Sequence, residues 1–347
     1  MKNNYNILEK IFHKLILKNN SLQEMLFDTE QRFYVKEKNL FFDNNFFISG
    51  LARSGTTLIL ECFYKQEIFA SLTYNDMPLI CAPNLWHKIS KNHKRKQKSS
   101  SRMHNDGIIF NLDSPEAFDE IIWKLLLKNK FIKEKYLDEH VLDNLVINKY
   151  QSFIKSIITK YKKKYYLNKN NNNILRLESL LNYFTNSIFI FVIREPLQHA
   201  NSLQKMHELF LKNQEDDDFT LEYMNMLGHH EFGKNHKKFN FKEDLSNNID
   251  INSLDYWLEV WINYYNHLKK FISYNNLYLI DYENFCKNPN SKIVEIIKKK
   301  EPDFKEVNFI NNIRLSKKES VYNSDKLEYA NNLYREILNL QLTKEIV

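Results

Sequence analysis

The residues best equipped for chemistry lie together in Gly50-Leu51-Ala52-Arg53-Ser54-Gly55-Thr56-Thr57. Two of the chain's 5 glycines fall here, with four residues between them, beside one guanidinium and three hydroxyls. Glycine tolerates backbone angles that let successive N–H groups converge on an anion. The apolar run Phe46-Phe47-Ile48 leads into the loop, and Thr57-Leu58-Ile59-Leu60 opens a new apolar-periodic segment. The pattern predicts a buried strand, a tight loop and a helix N-terminus, with the helix over 58–69. A helix start carries unpaired N–H groups and a partial positive charge, so the segment is an anion cradle. Arg53, Ser54, Thr56 and Thr57 add side-chain donors. The chemistry this suits is binding of, or transfer from, a phosphate-like group.

The glycine spacing is that of a Walker A loop, but Thr56 stands where the Walker lysine belongs. A kinase or NTPase uses that lysine on the β- and γ-phosphates. A small-molecule kinase is therefore the weaker reading, and the cation available is Arg53. A second candidate is Arg194, at the end of Ser187-Ile188-Phe189-Ile190-Phe191-Val192-Ile193. Such a run reads as a strand buried on both faces of a parallel sheet, and ligands of open α/β sheets bind at the carboxyl ends of strands. For a base, Asp76, His104 and Asp106 rank in that order. Asp76 lies in a segment that returns toward the ligand edge, although a cap or turn role before Pro78 fits it equally well. His104 offers an imidazole that titrates near neutrality. Asp113 and Glu116 belong to the same titratable cluster, which lies ahead of a helix expected to start at Ser114-Pro115.

The loop with Arg53 inside it resembles the 5′-phosphosulfate loop of sulfotransferases that use 3′-phosphoadenosine 5′-phosphosulfate (PAPS). The Arg-Ser-Gly-Thr-Thr form is most similar to the tyrosylprotein and bacterial carbohydrate-type branches. Arg194, with Ser202 eight residues on, resembles that family's 3′-phosphate site. A guanidinium fork and a hydroxyl suit a phosphomonoester. Lys169, ahead of the asparagine run 170–173, resembles the lysine that steadies the phosphosulfate in the tyrosylprotein type. That type also draws a serine and a lysine from the C-terminal region, and Ser316, Lys317, Ser320 and Ser324 are eligible. Asp281-Tyr282-Glu283-Asn284-Phe285 with Pro289 resembles a segment near the end of many such domains. The resemblance spans roughly residues 45–325. It implies transfer of a sulfuryl group from PAPS to a hydroxyl or amine, leaving 3′,5′-ADP (PAP), with no metal required.

These residues need a frame. The expected one is a single α/β domain over 41–347, a P-loop-like parallel sheet flanked by helices. Large helical insertions are expected at about 80–165 and 203–255, on the acceptor side. Residues 1–40 form an amphipathic helical segment through Ile7, Leu8, Ile11, Phe12, Leu15 and Ile16. It is suited to core packing, to a second subunit as a homodimer, or to a membrane surface. The stretch 85–101 reads as a polar loop. Val146 to Tyr166 reads as an amphipathic helix, with the asparagine run after it as a low-complexity turn. Helices are expected over 174–184 and 254–271, a short strand over 277–280 and a last helix through Tyr334.

Composition narrows the class. With 14% aromatic and 43% hydrophobic residues the chain is globular. Cys62, Cys81 and Cys286 have neither disulfide-framework nor zinc spacing, which fits a reducing cytoplasm. No apolar run is long enough to span a bilayer, and the N-terminus lacks a secretory core. The +7 net charge is dispersed. The basic run 93–98 reads as a solvated loop rather than a nucleic-acid site, since no stacking platform accompanies it. His229, His230 and His236 lack metal-ligand spacing. Trp86, Trp123, Tyr223 and Trp257 suit either a packed core or stacking on sugar faces, so the acceptor expected is a carbohydrate or glycolipid. A non-catalytic adaptor that binds the nucleotide is the alternative from another class.

Overall fold

The computed structural model describes residues 7–35, 42–90, 100–101, 109–110, 113–241, 249–305 and 322–346. Its strands are β1 (Asn45–Gly50), β2 (Phe69–Ala70), β3 (Ser100–Ser101), β4 (Ile109–Phe110), β5 (Tyr136–Asp138), β6 (Tyr165–Lys169), β7 (Ile188–Ile193), β8 (Lys238–Asn240) and β9 (Leu277–Asp281). The helices are α1 (Ile7–Lys18), α2 (Asn20–Tyr34), α3 (Thr56–Tyr64), α4 (Pro83–Ser90), α5 (Glu120–Leu126), α6 (Asn144–Tyr161), α7 (Leu177–Tyr183), α8 (Pro196–Asp216), α9 (Asp218–Leu227), α10 (Leu254–Lys269), α11 (Tyr282–Lys287), α12 (Pro289–Lys298) and α13 (Asp325–Ile346).

Five strands form the central sheet in the order β2-β6-β1-β7-β9, and every pairing is parallel. The continuous apolar runs follow from burial on both faces. Alternate side chains of a strand point to opposite sides. Phe47, Phe189 and Phe191 meet one core with Phe153, Leu180, Trp261 and Tyr265 of α6, α7 and α10. Phe46, Ile48, Ile190 and Val192 meet the other with Ile59, Leu60 and Phe63 of α3 and Ile293, Ile296 and Ile297 of α12. Strand β1 lies between β6 and β7. The chain runs from β1 through α3 to β2 on one side, and later enters β7 on the other. The crevice at such a reversal, outside the carboxyl ends of the strands, is where open α/β sheets bind ligands.

Several elements differ from the sequence reading. Helix α3, expected over 58–69, ends at Tyr64, and α4 forms within the stretch read as a loop. Helix α6 stops at Tyr161, and Tyr165–Lys169 is strand β6 between β1 and β2. The asparagine run is a buried 3-10 turn rather than a solvated one: Asn170 accepts from Asn172 N, and Asn173 donates to Asn168. No helix starts at Ser114-Pro115; Pro115 forms a bridge with Thr73, and α5 begins at Glu120. The last helix runs to Ile346. Strands β5 and β8 pair in parallel and so join the two regions expected as insertions.

Candidate active site

The loop at residues 51–55 leaves β1 at the sheet's carboxyl edge. Arg53 and Gly55 have φ of 69° and 104°, so the chain turns through left-handed conformations before α3. Gly55 provides no side-chain cap, which leaves the first N–H groups of α3 to face an anion. The turn is also tight: a Cβ on Gly50 would sit 2.6 Å from Ser54 Oγ and 3.0 Å from Val192 O. Ser54 Oγ is buried and has no hydrogen-bond partner among the described residues. A buried orphan hydroxyl inside a loop of convergent N–H groups fits an anionic oxygen.

Residues from β7 and α8 clamp this loop. Arg194 Nη1 donates to Arg53 O at 3.0 Å, and Arg53 Nε donates to Ser202 Oγ at 3.3 Å. His199, fully buried on α8, donates from Nε2 to Ala52 O at 2.7 Å. Burial first, and Arg194 second, push its pKa down to about 3, so the ring is neutral. His199 was not singled out in the sequence; only its position on the turn between Arg194 and Ser202 could have drawn attention to it.

The segment after β9 closes the same edge. The Arg194 guanidinium stacks over the Tyr282 ring at 5.0 Å, and its Nε lies 3.8 Å from Glu283 Oε1. Tyr334 of α13 donates to Asp281 at 2.7 Å and to Glu283 at 3.4 Å, while Glu283 also accepts from Glu195 N. Burial, then the Asp281 carboxylate, raise the Glu283 pKa to about 7. Glu195 in turn caps α8 through Leu197 N and Gln198 N. Trp261 and Tyr265 hold the carbonyls of Arg194 and Val192.

On the other side of β1, Lys169 ends β6 in register with Ile48. Its Nζ lies 3.9 Å from Glu116 Oε1, and both side chains are about nine-tenths buried, each 11% exposed. Glu116 also accepts from Tyr74 Oη at 2.9 Å and from Ala117 N at 2.9 Å. The structure thus gathers Gly50, Arg53, Ser54, Gly55, Arg194 and Ser202 around one turn, with Thr56 and Thr57 opening α3 and Lys169 one strand away.

Asp76 takes the capping role. It accepts from Thr73 N and Oγ1 within a capping box, from Tyr161 Oη at 2.6 Å and from Lys160 Nζ. Four donors engage its fully buried carboxylate, which leaves the lone pairs that a base requires committed to the fold. His104, Asp106, Ser316, Lys317 and Ser320 lie outside the described residues. Ser324 caps α13 and donates to Asp255. The histidine cluster is structural: His229 pairs with Ala117 O, His230 with Asn235 and His236 with Tyr256. Among the described residues no group of His, Cys, Asp or Glu is arranged to hold a metal, and no helix is long and apolar enough to cross a membrane. Trp123 and Trp257 are core residues, fully buried, and so unable to stack on a sugar.

A sequence profile of the sulfotransferase family matches residues 45–306. The comparison with curated proteins found no match. Among solved structures, the chain is similar to sulfotransferase STF9 from Mycobacterium avium. Identity is 11%, TM-score 0.50, with 98% of this chain and 79% of that one covered. It is also similar to sulfotransferase STF1 from Mycobacterium tuberculosis, with 12% identity, TM-score 0.47, and 99% and 88% covered. At this identity the likeness to STF9 is one of fold.

Proposed function

Because the chain belongs to the sulfotransferase family, we propose that it moves a sulfuryl group from PAPS to a hydroxyl or amine acceptor and releases PAP. When bound, PAPS supplies the activated sulfuryl group. The loop amides with Arg53, Ser54, Thr56 and Thr57 hold the 5′-phosphosulfate, and the orphan Ser54 hydroxyl with the uncapped α3 start supports this. Arg194 and Ser202 hold the 3′-phosphate and so select the nucleotide. Lys169 and Arg53 offset negative charge where it develops, a role that preorganised cations fill without reorganisation. Positioning and charge supply most of the catalysis, as in phosphoryl transfer. Ser316 and Lys317 complete the nucleotide contacts, and no resident metal is needed. A carbohydrate or glycolipid acceptor rests on Trp86 and Tyr223, the two of four candidate rings that keep exposed surface. The protein acts in the cytoplasm.

One observation carries the reading: the expected 5′ and 3′ phosphate residues meet, Arg194 at Arg53 O and Ser202 at Arg53 Nε. Calorimetric titration of PAP and ADP into wild type and Arg194→Ala tests it. A guanidinium–phosphate contact contributes ~1.5–3 kcal/mol, so wild type is expected to prefer PAP by about 10- to 100-fold and the variant to lose that preference. Equal binding of PAP and ADP by wild type overturns the 3′-phosphate assignment.

A further inference from the structure

Glu116 belongs to the cluster of titratable residues that precedes α5. The bridge between Thr73 and Pro115 and the hydrogen bond from Glu116 N to Leu72 O bring residue 116 to the chain just beyond β2. This places it at the carboxyl edge of the sheet, facing the end of β6. From there its Oε1 meets Lys169 Nζ at 3.9 Å, while Tyr74 donates to Oε2 and Ala117 N to Oε1. Asp76, ranked first among the base candidates, is enclosed by Thr73, Lys160 and Tyr161. Glu116 instead shares a partner with the transfer chemistry, since Lys169 is the cation one strand from the loop.

We propose that Glu116 is the base that receives the acceptor's proton. The assignment rests on the sulfotransferase reading and deepens it. The acceptor oxygen bonds to sulfur as its O–H proton passes to a Glu116 carboxylate oxygen. The bond from sulfur to the 5′-phosphate oxygen breaks, and its electron pair stays on the phosphate. Lys169, drawn toward that leaving oxygen, vacates the carboxylate side just as a proton arrives. Tyr74 Oη and Ala117 N hold the carboxylate in place throughout.

The test compares wild type with Glu116→Gln, whose oxygen still accepts from Ala117 N and whose amide N–H can donate to Tyr74 Oη, but which cannot take the proton. The first readout is proton uptake on PAP binding near pH 5.5, measured by calorimetry in buffers of different ionisation enthalpy. Anionic phosphates beside Glu116 and Lys169 raise the proton affinity of the carboxylate. Wild type is expected to take up more protons than the variant, with PAP affinities within about threefold of each other, as for an uncharged isostere that retains its hydrogen bonds. The second readout is slow hydrolysis of labelled PAPS, with water as acceptor and enzyme in excess. General-base contributions run to about 10²–10⁴, so the variant should lose at least tenfold, together with the acidic limb of its pH profile. Equal proton uptake in the two proteins overturns the assignment. So does unchanged hydrolysis, or wild-type hydrolysis no faster than buffer while PAP binds. Failure of wild type to bind PAP is a separate result, which overturns the nucleotide reading and this assignment with it.

Discussion

The Tyr282 ring lies against Gly55 so closely that a Cβ built on residue 55 would fall 2.3 Å from Tyr282 Cδ2. The same ring also meets the Arg194 guanidinium, 5.0 Å from its centroid. One aromatic side chain therefore spaces the anion loop from the arginine expected to take the 3′-phosphate. Gly55→Ala would force both a left-handed alanine, about 1–2 kcal/mol on its own, and displacement of the ring. The variant should unfold at lower urea and bind PAP less tightly. In Gly55→Ala/Tyr282→Ala the steric part is relieved, so the second substitution should cost less in the variant background than in wild type. Equal cost in both backgrounds would show that the two residues do not interact.

Asp76 should behave as a structural anchor. Lys160 is 7% exposed, so Asp76→Ala leaves an ammonium buried without its partner. Breaking such a pair typically costs ~3–5 kcal/mol. Urea denaturation should show a loss of that order, while the folded variant binds PAP as wild type does. Stability near wild type combined with lost turnover would instead return Asp76 to the reacting centre.

Glu283 and the buried histidines should tilt stability with pH in opposite directions. The Glu283 pKa is raised to about 7 from an ordinary 4.5, with Arg194, Asp281 and Tyr334 facing it. Between those values the folded protein binds the extra proton, so stability falls as pH rises through this window. Burial lowers His199 and His230 to about 3 and His140 and His236 to about 4. Below pH 6.5 the unfolded chain binds protons that the folded rings refuse, so stability is lost on acidification. Four histidines outweigh one carboxylate, so melting temperatures should rise from pH 4 and level off toward pH 8. Glu283→Gln removes the opposing contribution, so the rise across the window between the two Glu283 values should steepen, and an unchanged slope there would contradict the raised value.

The parts of the site that could be read directly are those fixed by local pattern. The loop at 50–57 declares itself through glycine spacing, and Arg194 through the unbroken apolar run that only a doubly buried strand requires. Two features hid the rest. Asparagine usually marks solvated turns, yet residues 170–173 are buried, with Asn170 bonded to Glu120 and to Asn172 N and Asn173 bonded to Asn168, so β6 and its Lys169 read as the end of a helix and a loop. The Lys169–Glu116 pair joins residues 53 positions apart through the Thr73–Pro115 bridge, a contact with no local signature. Ser114-Pro115 carries a good cap signal, but that bridge holds it extended and moves the helix start to Glu120.

The segment after β6 depends on one buried ion pair. Arg176 is 1% exposed, stacks on Trp123 at 4.6 Å and donates from Nη2 to Glu120 Oε1 at 2.9 Å. The other oxygen of Glu120 accepts from Asn170 Nδ2 at 2.8 Å, next to Lys169. Glu120→Leu strands the guanidinium and Arg176→Met strands the carboxylate, so each should cost ~3–5 kcal/mol. The double variant Glu120→Leu/Arg176→Met removes both charges and fills their space. It should lose much less than the sum, because desolvation of the pair disappears with it. It still leaves Asn170 Nδ2 without its acceptor, an orphan worth ~1–3 kcal/mol, so recovery should stop short of wild type. Urea denaturation of the three variants measures the coupling. Additive losses would mean that Glu120 and Arg176 stabilise the fold independently, and full recovery would mean that Asn170 needs no partner to hold the end of β6.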